Sequence, residues 1–299
     1  MRSYTDTPKF AVNAYSTPHN GVFDDIEQVA AIGGAAVGLW EGKFADGQDE
    51  QIARSLREHG LEAAFCVPRM HSVLGIPFDK PGTPKDPRER TELICESIHR
   101  LAAFSPAVIA IAPGTSGDPA HPAGPVEAIA ENLPAIADAA AEHGLQIGLE
   151  LLAERRGSPL HTIPAMVEVI DQVGRDNVGI MFDIFHSWCE PGLHEQIAKH
   201  GHRINSVQVC DIRVQERSGF DRELPGRGRG VAPEIIASLL EAGYDGLWEL
   251  EVFSDDGTYG SDFPDSYWKQ PHQKFLSQSK KAFEESYRQA LSLLEQRAR

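Results

Sequence analysis

The sequence predicts a single (β/α)8 TIM barrel with a C-terminal helical extension, and three observations predict it. Short apolar runs recur eight times along the 299 residues. An amphipathic stretch follows each run. The runs are near-continuously apolar rather than alternating, which marks parallel strands covered on both faces, and every parallel return needs a crossover helix.

Strands are expected at 9–17, 35–42, 61–68, 106–114, 145–153, 178–186, 204–213 and 246–254. Helices are expected at 23–33, 46–59, 88–104, 124–143, 162–174, 191–202 and 232–243, with a last one at 273–297. Two copies of "EHGL", at 58–61 and 142–145, each close a helix and open a strand, as a glycine C-cap does. No linker or low-complexity segment divides the chain, so residues 1–299 read as one domain, barrel at 9–254 and C-terminal segment at 255–299. The Pro/Gly-rich pieces 71–87 and 112–125 both follow strands. They belong on the C-terminal face, where such barrels keep their chemistry.

Composition narrows the function classes. The formal charge is −16 with the acids scattered, which argues against a nucleic-acid or anionic-membrane partner, since both need a basic surface. Cys66, Cys95, Cys189 and Cys210 form no CxxC pair, so they read as reduced thiols of a cytoplasmic protein rather than a zinc or disulfide framework. The opening "MRSYTDTPKF" has no apolar core of a signal peptide, and no apolar stretch is long enough for a membrane span.

The last four strands carry polar residues where apolar ones are the rule. Strand five has Glu150, strand six Asp183, strand seven Gln208 and Asp211, and strand eight Glu249 and Glu251. An acid inside an apolar strand needs a compensating partner. A barrel brings those strand ends around one axis, so Glu150, Asp183, Gln208 and Glu251 are expected to converge. Three carboxylates and an amide oxygen make a hard, all-oxygen site for one divalent metal, Mn²⁺ first, with Mg²⁺ or Co²⁺ as alternatives. Glu249 shares the parity of Glu251, so both side chains can point the same way.

His186, three residues past Asp183 in "FDIFH", reads as a substrate-oxygen donor or proton relay beside that metal, with a packed core histidine as the plainer alternative. Glu41 in "LWEG", His71 after strand three and Arg213 in "CDIR" face the same mouth as candidate substrate contacts. The run "RELPGRGRG" (222–230) looks like a phosphate cradle, but it follows no strand directly and lacks the P-loop Lys–Ser/Thr, so a nucleotide site is rejected. The aromatic residues of "SDFPDSYWKQP" (261–271) suit a lid, a contact between copies in a homo-oligomer, or packing beneath the last helix.

These residues resemble the xylose isomerase-like barrel superfamily of sugar-phosphate isomerases and epimerases. The resemblance rests on Glu150, "FDIFH", "VQVCD", "LPGRG" and "AGYDGLWELEV". It implies a metal held by Glu150, Asp183, Gln208 and Glu251, and it selects Glu251 over Glu249. Glutamine at strand seven is a departure from the ketose 3-epimerases, which carry histidine there, and looks more like hydroxypyruvate isomerases and 3-dehydroshikimate dehydratases. The implied reaction is proton abstraction next to a carbonyl of a small ketose or related polyol ketone, with Glu150 and Glu251 as acid/base groups and His186 on the developing oxyanion. The alternatives are a metal-dependent dehydratase of the same superfamily acting on a carbohydrate or keto-acid, and a non-catalytic sugar-binding barrel.

Overall fold

Strand pairing closes on itself in this chain. The computed structural model describes residues 4–5, 7–115 and 124–299. Among these, nine parallel strands form one sheet: β1 (Phe10–Asn13), β2 (Ala36–Gly38), β3 (Glu62–Ala63), β4 (Phe65–Cys66), β5 (Val108–Ile111), β6 (Ile147–Glu150), β7 (Val178–Asp183), β8 (Ile204–Val209) and β9 (Trp248–Leu250). The order is β3-β2-β1-β9-β8-β7-β6-β5-β4. The two ends of that order are halves of one stave broken at Ala64, whose N–H bonds Val37 O at 2.8 Å while Ala63 O accepts from Ala107. Eight staves therefore make the ring, and β6 to β9 are the fifth to eighth of them. The TIM barrel expected from the sequence is the fold observed.

Side-chain parity explains why the ring fills. On β1, Phe10 and Val12 join the large cluster between strands and helices, while Ala11 joins a small cluster with Ala36, Ala64, Phe65, Val108, Ala110 and Met181. That second cluster comes almost wholly from strands and fills the interior with small residues. Gly38 belongs to the same logic: a Cβ there would meet Glu249 Oε1 at 2.2 Å, so the missing side chain makes room for an acid inside the barrel.

Helices α1 (Val22–Ala31), α2 (Asp49–His59), α3 (Pro87–Leu101), α4 (Pro125–Ala141), α5 (Ile163–Val173), α6 (Ile184–Ser187), α7 (Leu193–His200), α8 (Ala232–Ala242) and α9 (His272–Arg297) cover the outside. Both "EHGL" copies behave as expected: Gly60 and Gly144 have φ of +66° and +68°, a region only glycine enters at little cost. The C-terminal helix α9 lays Phe283 and Tyr287 against Trp248 of β9, with ring centroids 6.1 and 5.9 Å away. The 261–271 segment packs against the barrel, since Trp268 is buried and its indole N–H donates to Ser16 O at 2.8 Å.

Two sequence expectations are corrected in extent. The run 178–186 is not all strand: β7 stops at Asp183, whose carboxylate accepts from Phe185 N at 2.8 Å and caps the single turn of α6. The other staves are likewise shorter than their apolar runs, because the flanking apolar residues serve the loops. Of the 112–125 loop, residues 116–123 lie outside the described ones. All four cysteines are free. No helix among the described residues is long and apolar enough to cross a membrane.

Candidate metal centre and active site

The strand ends of β6–β9 bring the expected groups together. Parallel register sets Asp183 beside Gln208 and Gln208 beside Glu249. Glu150 ends β6, and Glu251 follows β9 directly. One ligand atom each from Glu150, Asp183 and His186 lie within 4.8 Å of one another. His186 sits on α6 with Nε2 at 3.6 Å from Asp183 Oδ2 and 3.9 Å from Glu150 Oε1.

Gln208 is the most informative member. Its Nε2 donates to Glu249 Oε2 at 3.1 Å and to Glu251 Oε1 at 3.2 Å, which fixes the amide orientation. Its Oε1 is buried with no hydrogen-bond partner. A buried acceptor left unmade costs about 1–3 kcal/mol. A buried oxygen that is offered no donor, on an amide whose other end touches two carboxylates, is compatible with a cation nearby. Glu150, Asp183 and His186 therefore make a candidate divalent-metal site, and Gln208 and Glu251, expected from the sequence as further ligands, lie on the same rim.

The electrostatics show the strain of gathering these acids. Burial, then Glu251 and Asp183, hold the Glu150 carboxyl well above its ordinary range. Burial raises Glu251 to about 7 even though Arg222 opposes the rise. Glu249 rises to about 8, again through burial, despite hydrogen bonds from Asn13 Nδ2 at 2.7 Å and from Gln208. His186 is pushed well below its ordinary value by burial and then by Arg222, so it sits neutral. Carboxyls poised near neutrality beside a neutral imidazole are what acid–base work requires.

The structure adds a residue that sequence reasoning missed. Arg222 is buried, and its Nη1 lies 2.8 Å from Asp183 Oδ2, 2.9 Å from Glu251 Oε2 and 3.1 Å from Glu251 O. Phe185 and Phe253 flank its guanidinium at 4.5 and 4.9 Å from their ring centroids. Burial works against this cation, but Asp183 and Glu251 outweigh it and keep it protonated. Arg222 opens the "RELPGRGRG" run, which follows no strand directly and lacks the P-loop Lys–Ser/Thr. The run does cradle an anion, namely Asp211: its carboxylate accepts from the N–H groups of Ile212, Gly226, Gly230 and Ala232 at 2.8–3.4 Å. Asp211 thereby shapes the loop that carries Arg222.

The expected substrate contacts divide. His71 lies on the aromatic wall of the mouth, edge-on to Tyr15 at 6.5 Å, and its Nδ1 is buried without a partner. Tyr15 adjoins the acids, which add to burial and Tyr259 in raising its phenol. Glu41 is turned outward: its carboxylate accepts from Arg69 N at 2.8 Å and pairs with Arg100 on α3 at 3.2 Å. Arg213 is held by Asp221 at 2.8 Å and Glu223 at 3.0 Å, with Tyr267 under its guanidinium. The structure therefore does not bring Glu41 or Arg213 to the strand-end acids.

Comparison with known proteins agrees with this architecture. The profile of the xylose isomerase-like TIM barrel family matches residues 26–290. The chain is 28% identical to a 3-dehydroshikimate dehydratase of Pseudomonas aeruginosa over 241 residues, 78% of this chain and 36% of that one. It is 29% identical to a D-psicose 3-epimerase of Enterocloster bolteae over 133 residues, 44% of this chain and 42% of the epimerase. The matches thus span less than half the length of these curated relatives. Among solved structures, the zinc-bound IOLI protein superposes with a TM-score of 0.75 at 17% identity, over 93% of this chain and 97% of that one. Closed parallel staves, a convergent acid rim and a matched profile over most of the residues lead to one assignment: the chain belongs to the xylose isomerase-like TIM barrel family.

Proposed function

We propose that the protein is a divalent-metal-dependent enzyme of the isomerase/epimerase type, which removes a proton next to a carbonyl of a small ketose or related polyol ketone. The single observation that carries this reading is the convergence of Glu150, Asp183 and His186, one ligand atom each within 4.8 Å of one another, beside the buried and unpartnered Gln208 Oε1. Mn²⁺ is the expected metal, with Mg²⁺ or Co²⁺ as alternatives. When bound, the metal supplies Lewis-acid polarisation of the carbonyl and charge for the enediolate.

The chain's own residues do the rest. Glu150 and Glu251 flank the rim from two staves, placed to take a proton from the substrate and return it. Neutral His186 offers a ring N–H to a substrate oxygen without adding a charge to be neutralised. Arg222, stacked between Phe185 and Phe253, orients Asp183 and Glu251 and presents its remaining N–H groups to substrate oxygens. The aromatic wall of Tyr15, Trp40 and Phe253 excludes water from one side.

A second reading, dehydration of a keto-acid, is favoured by the alignment to the dehydratase, which spans more of this chain than the epimerase match. It uses the same first proton abstraction followed by loss of a hydroxyl. Incubating the Mn²⁺-loaded protein with D-psicose and with 3-dehydroshikimate in D₂O separates the readings. Deuterium in a recovered isomer supports epimerisation, and a rising ultraviolet absorbance supports dehydration. Turnover undiminished after chelation would sink both.

A further inference from the structure

Arg156 is a cation of the mouth with no ion-pair partner among the described residues. It ends the 3₁₀ turn Glu154–Arg156 after β6, on the loop that leads out from Glu150. The residue is half-buried, and its guanidinium lies over the Phe220 ring at 4.7 Å from the centroid. Phe220 stacks on Tyr259 at 4.4 Å and meets Phe253 edge-on, the same ring that lies under Arg222. Two arginines from two different loops thus reach one aromatic wall. The charges acting on Arg156 include Arg222, Glu150 and Glu251, which sets it beside the acid rim.

Its arginine neighbours each have an acceptor or a counter-ion. Arg155 donates to Phe185 O at 3.2 Å, Arg213 is held by Asp221 and Glu223, Arg217 pairs with Asp221 and Asp265, and Arg222 holds Asp183 and Glu251. Among the described residues, no carboxylate pairs with Arg156 and no oxygen takes a hydrogen bond from it; the Phe220 stack is its direct contact. The loop also makes space for it, because a Cβ at Gly219 would meet Arg156 Nη1 at 2.3 Å. A half-buried cation without an ion-pair partner is costly, and stacking on a ring offsets only part of that cost. With a divalent cation and Arg222 balancing Glu150, Asp183 and Glu251, Arg156 is left without an ion-pair partner among the described residues.

We infer that Arg156 binds an oxyanion carried by the substrate, a carboxylate or a phosphate, on the same small molecule whose carbonyl end lies at Glu150 and Glu251. The inference rests on the site reading given above and names its substrate class. A planar guanidinium grips either anion in bidentate fashion, whereas a neutral ketose leaves it unpaired.

The test is isothermal titration of two matched pairs: 3-dehydroshikimate against its methyl ester, and D-fructose 6-phosphate against D-fructose. Native, Arg156→Gln and Arg156→Lys proteins are each titrated with and without Mn²⁺, and metal content and thermal melting are recorded on the same samples. The native protein is expected to prefer one anion over its neutral partner by about tenfold or more, the value of a charge-assisted hydrogen bond. The pair that shows the preference separates carboxylate from phosphate. Arg156→Gln is expected to erase the preference, and Arg156→Lys to keep part of it. Equal binding within both native pairs, or an undiminished preference in folded Arg156→Gln, overturns the inference. A protein that takes up no Mn²⁺ yet keeps an Arg156-dependent preference defeats the metal reading alone.

Discussion

Asp183, at the end of β7, and Asp211, just past the end of β8, are equally buried, and they are compensated in opposite ways. Asp211 is surrounded by four backbone N–H groups, all from residues 212–232. Asp183 receives one backbone N–H, from Phe185, and one side-chain cation, from Arg222; its other close neighbours include Glu150 and Glu251, themselves acids. Depth of burial is therefore not what distinguishes a site from a scaffold. Local and complete compensation makes Asp211 a loop organiser. Distant and incomplete compensation, with an orphaned amide oxygen next door at Gln208, makes Asp183 part of a reactive rim.

The comparison is broken or sharpened first by the two aspartates themselves. Asp183→Asn keeps the oxygen that caps Phe185 but removes the charge, and is expected to lower substrate proton exchange by about a hundred- to ten-thousandfold in a folded protein. Asp211→Asn is expected to leave exchange per folded molecule unchanged while lowering stability by about 1–3 kcal/mol, as read by urea denaturation, because an amide offers one acceptor oxygen to four N–H groups. A folded Asp211→Asn protein without activity would erase the distinction.

Gln208 gives the next effect in size. Gln208→Leu removes the unpartnered oxygen and is expected to weaken metal binding by about tenfold to a hundredfold, while Gln208→His, which offers a ring nitrogen, retains most of it. Equal metal affinity in native and leucine proteins would mean that the oxygen serves packing alone.

The smallest effect belongs to Glu249, held by Asn13, Gln208 and Phe65 N within the barrel. Its carboxyl is raised from 4.5 to about 8 by burial. A raised folded-state pKa means that the folded protein holds the proton more tightly than the unfolded chain does. This contribution to stability is complete below the unfolded value and is lost as pH rises through about 8. Melting of chelator-treated protein is expected to fall from about pH 5 to about pH 8 and to level off above it, the window between the unfolded and folded values, and Glu249→Gln is expected to fall less. Parallel melting curves for the two proteins would contradict it.

What was legible in the residues follows the range of the forces involved. The staves could be read because continuous apolar character is local, and the acid rim because Glu150, Asp183, Gln208 and Glu251 each interrupt such a run. The end of β7 was overrun, since Ile184 and Phe185 are as apolar as the strand before them while the cap at Asp183 turns the chain. Arg222 was invisible because its partner Asp183 is 39 residues away and no spacing rule links them. Glu41 and Arg213 looked free for the same reason: their partners Arg100 and Asp221 become neighbours only on folding. Arg156 shows the reverse, an ordinary surface letter that folding leaves half-buried and, among the described residues, without an ion-pair partner.

The central claim is that the β6–β9 rim is a divalent metal centre. Titration of chelator-treated native, Asp183→Asn and Asp211→Asn proteins with Mn²⁺, followed by electron paramagnetic resonance of the free ion, tests it most directly. The account predicts about one tight equivalent in the native and Asp211→Asn proteins, and its loss in Asp183→Asn. Absence of a tight equivalent in the native protein, or the same uptake in all three, would contradict it.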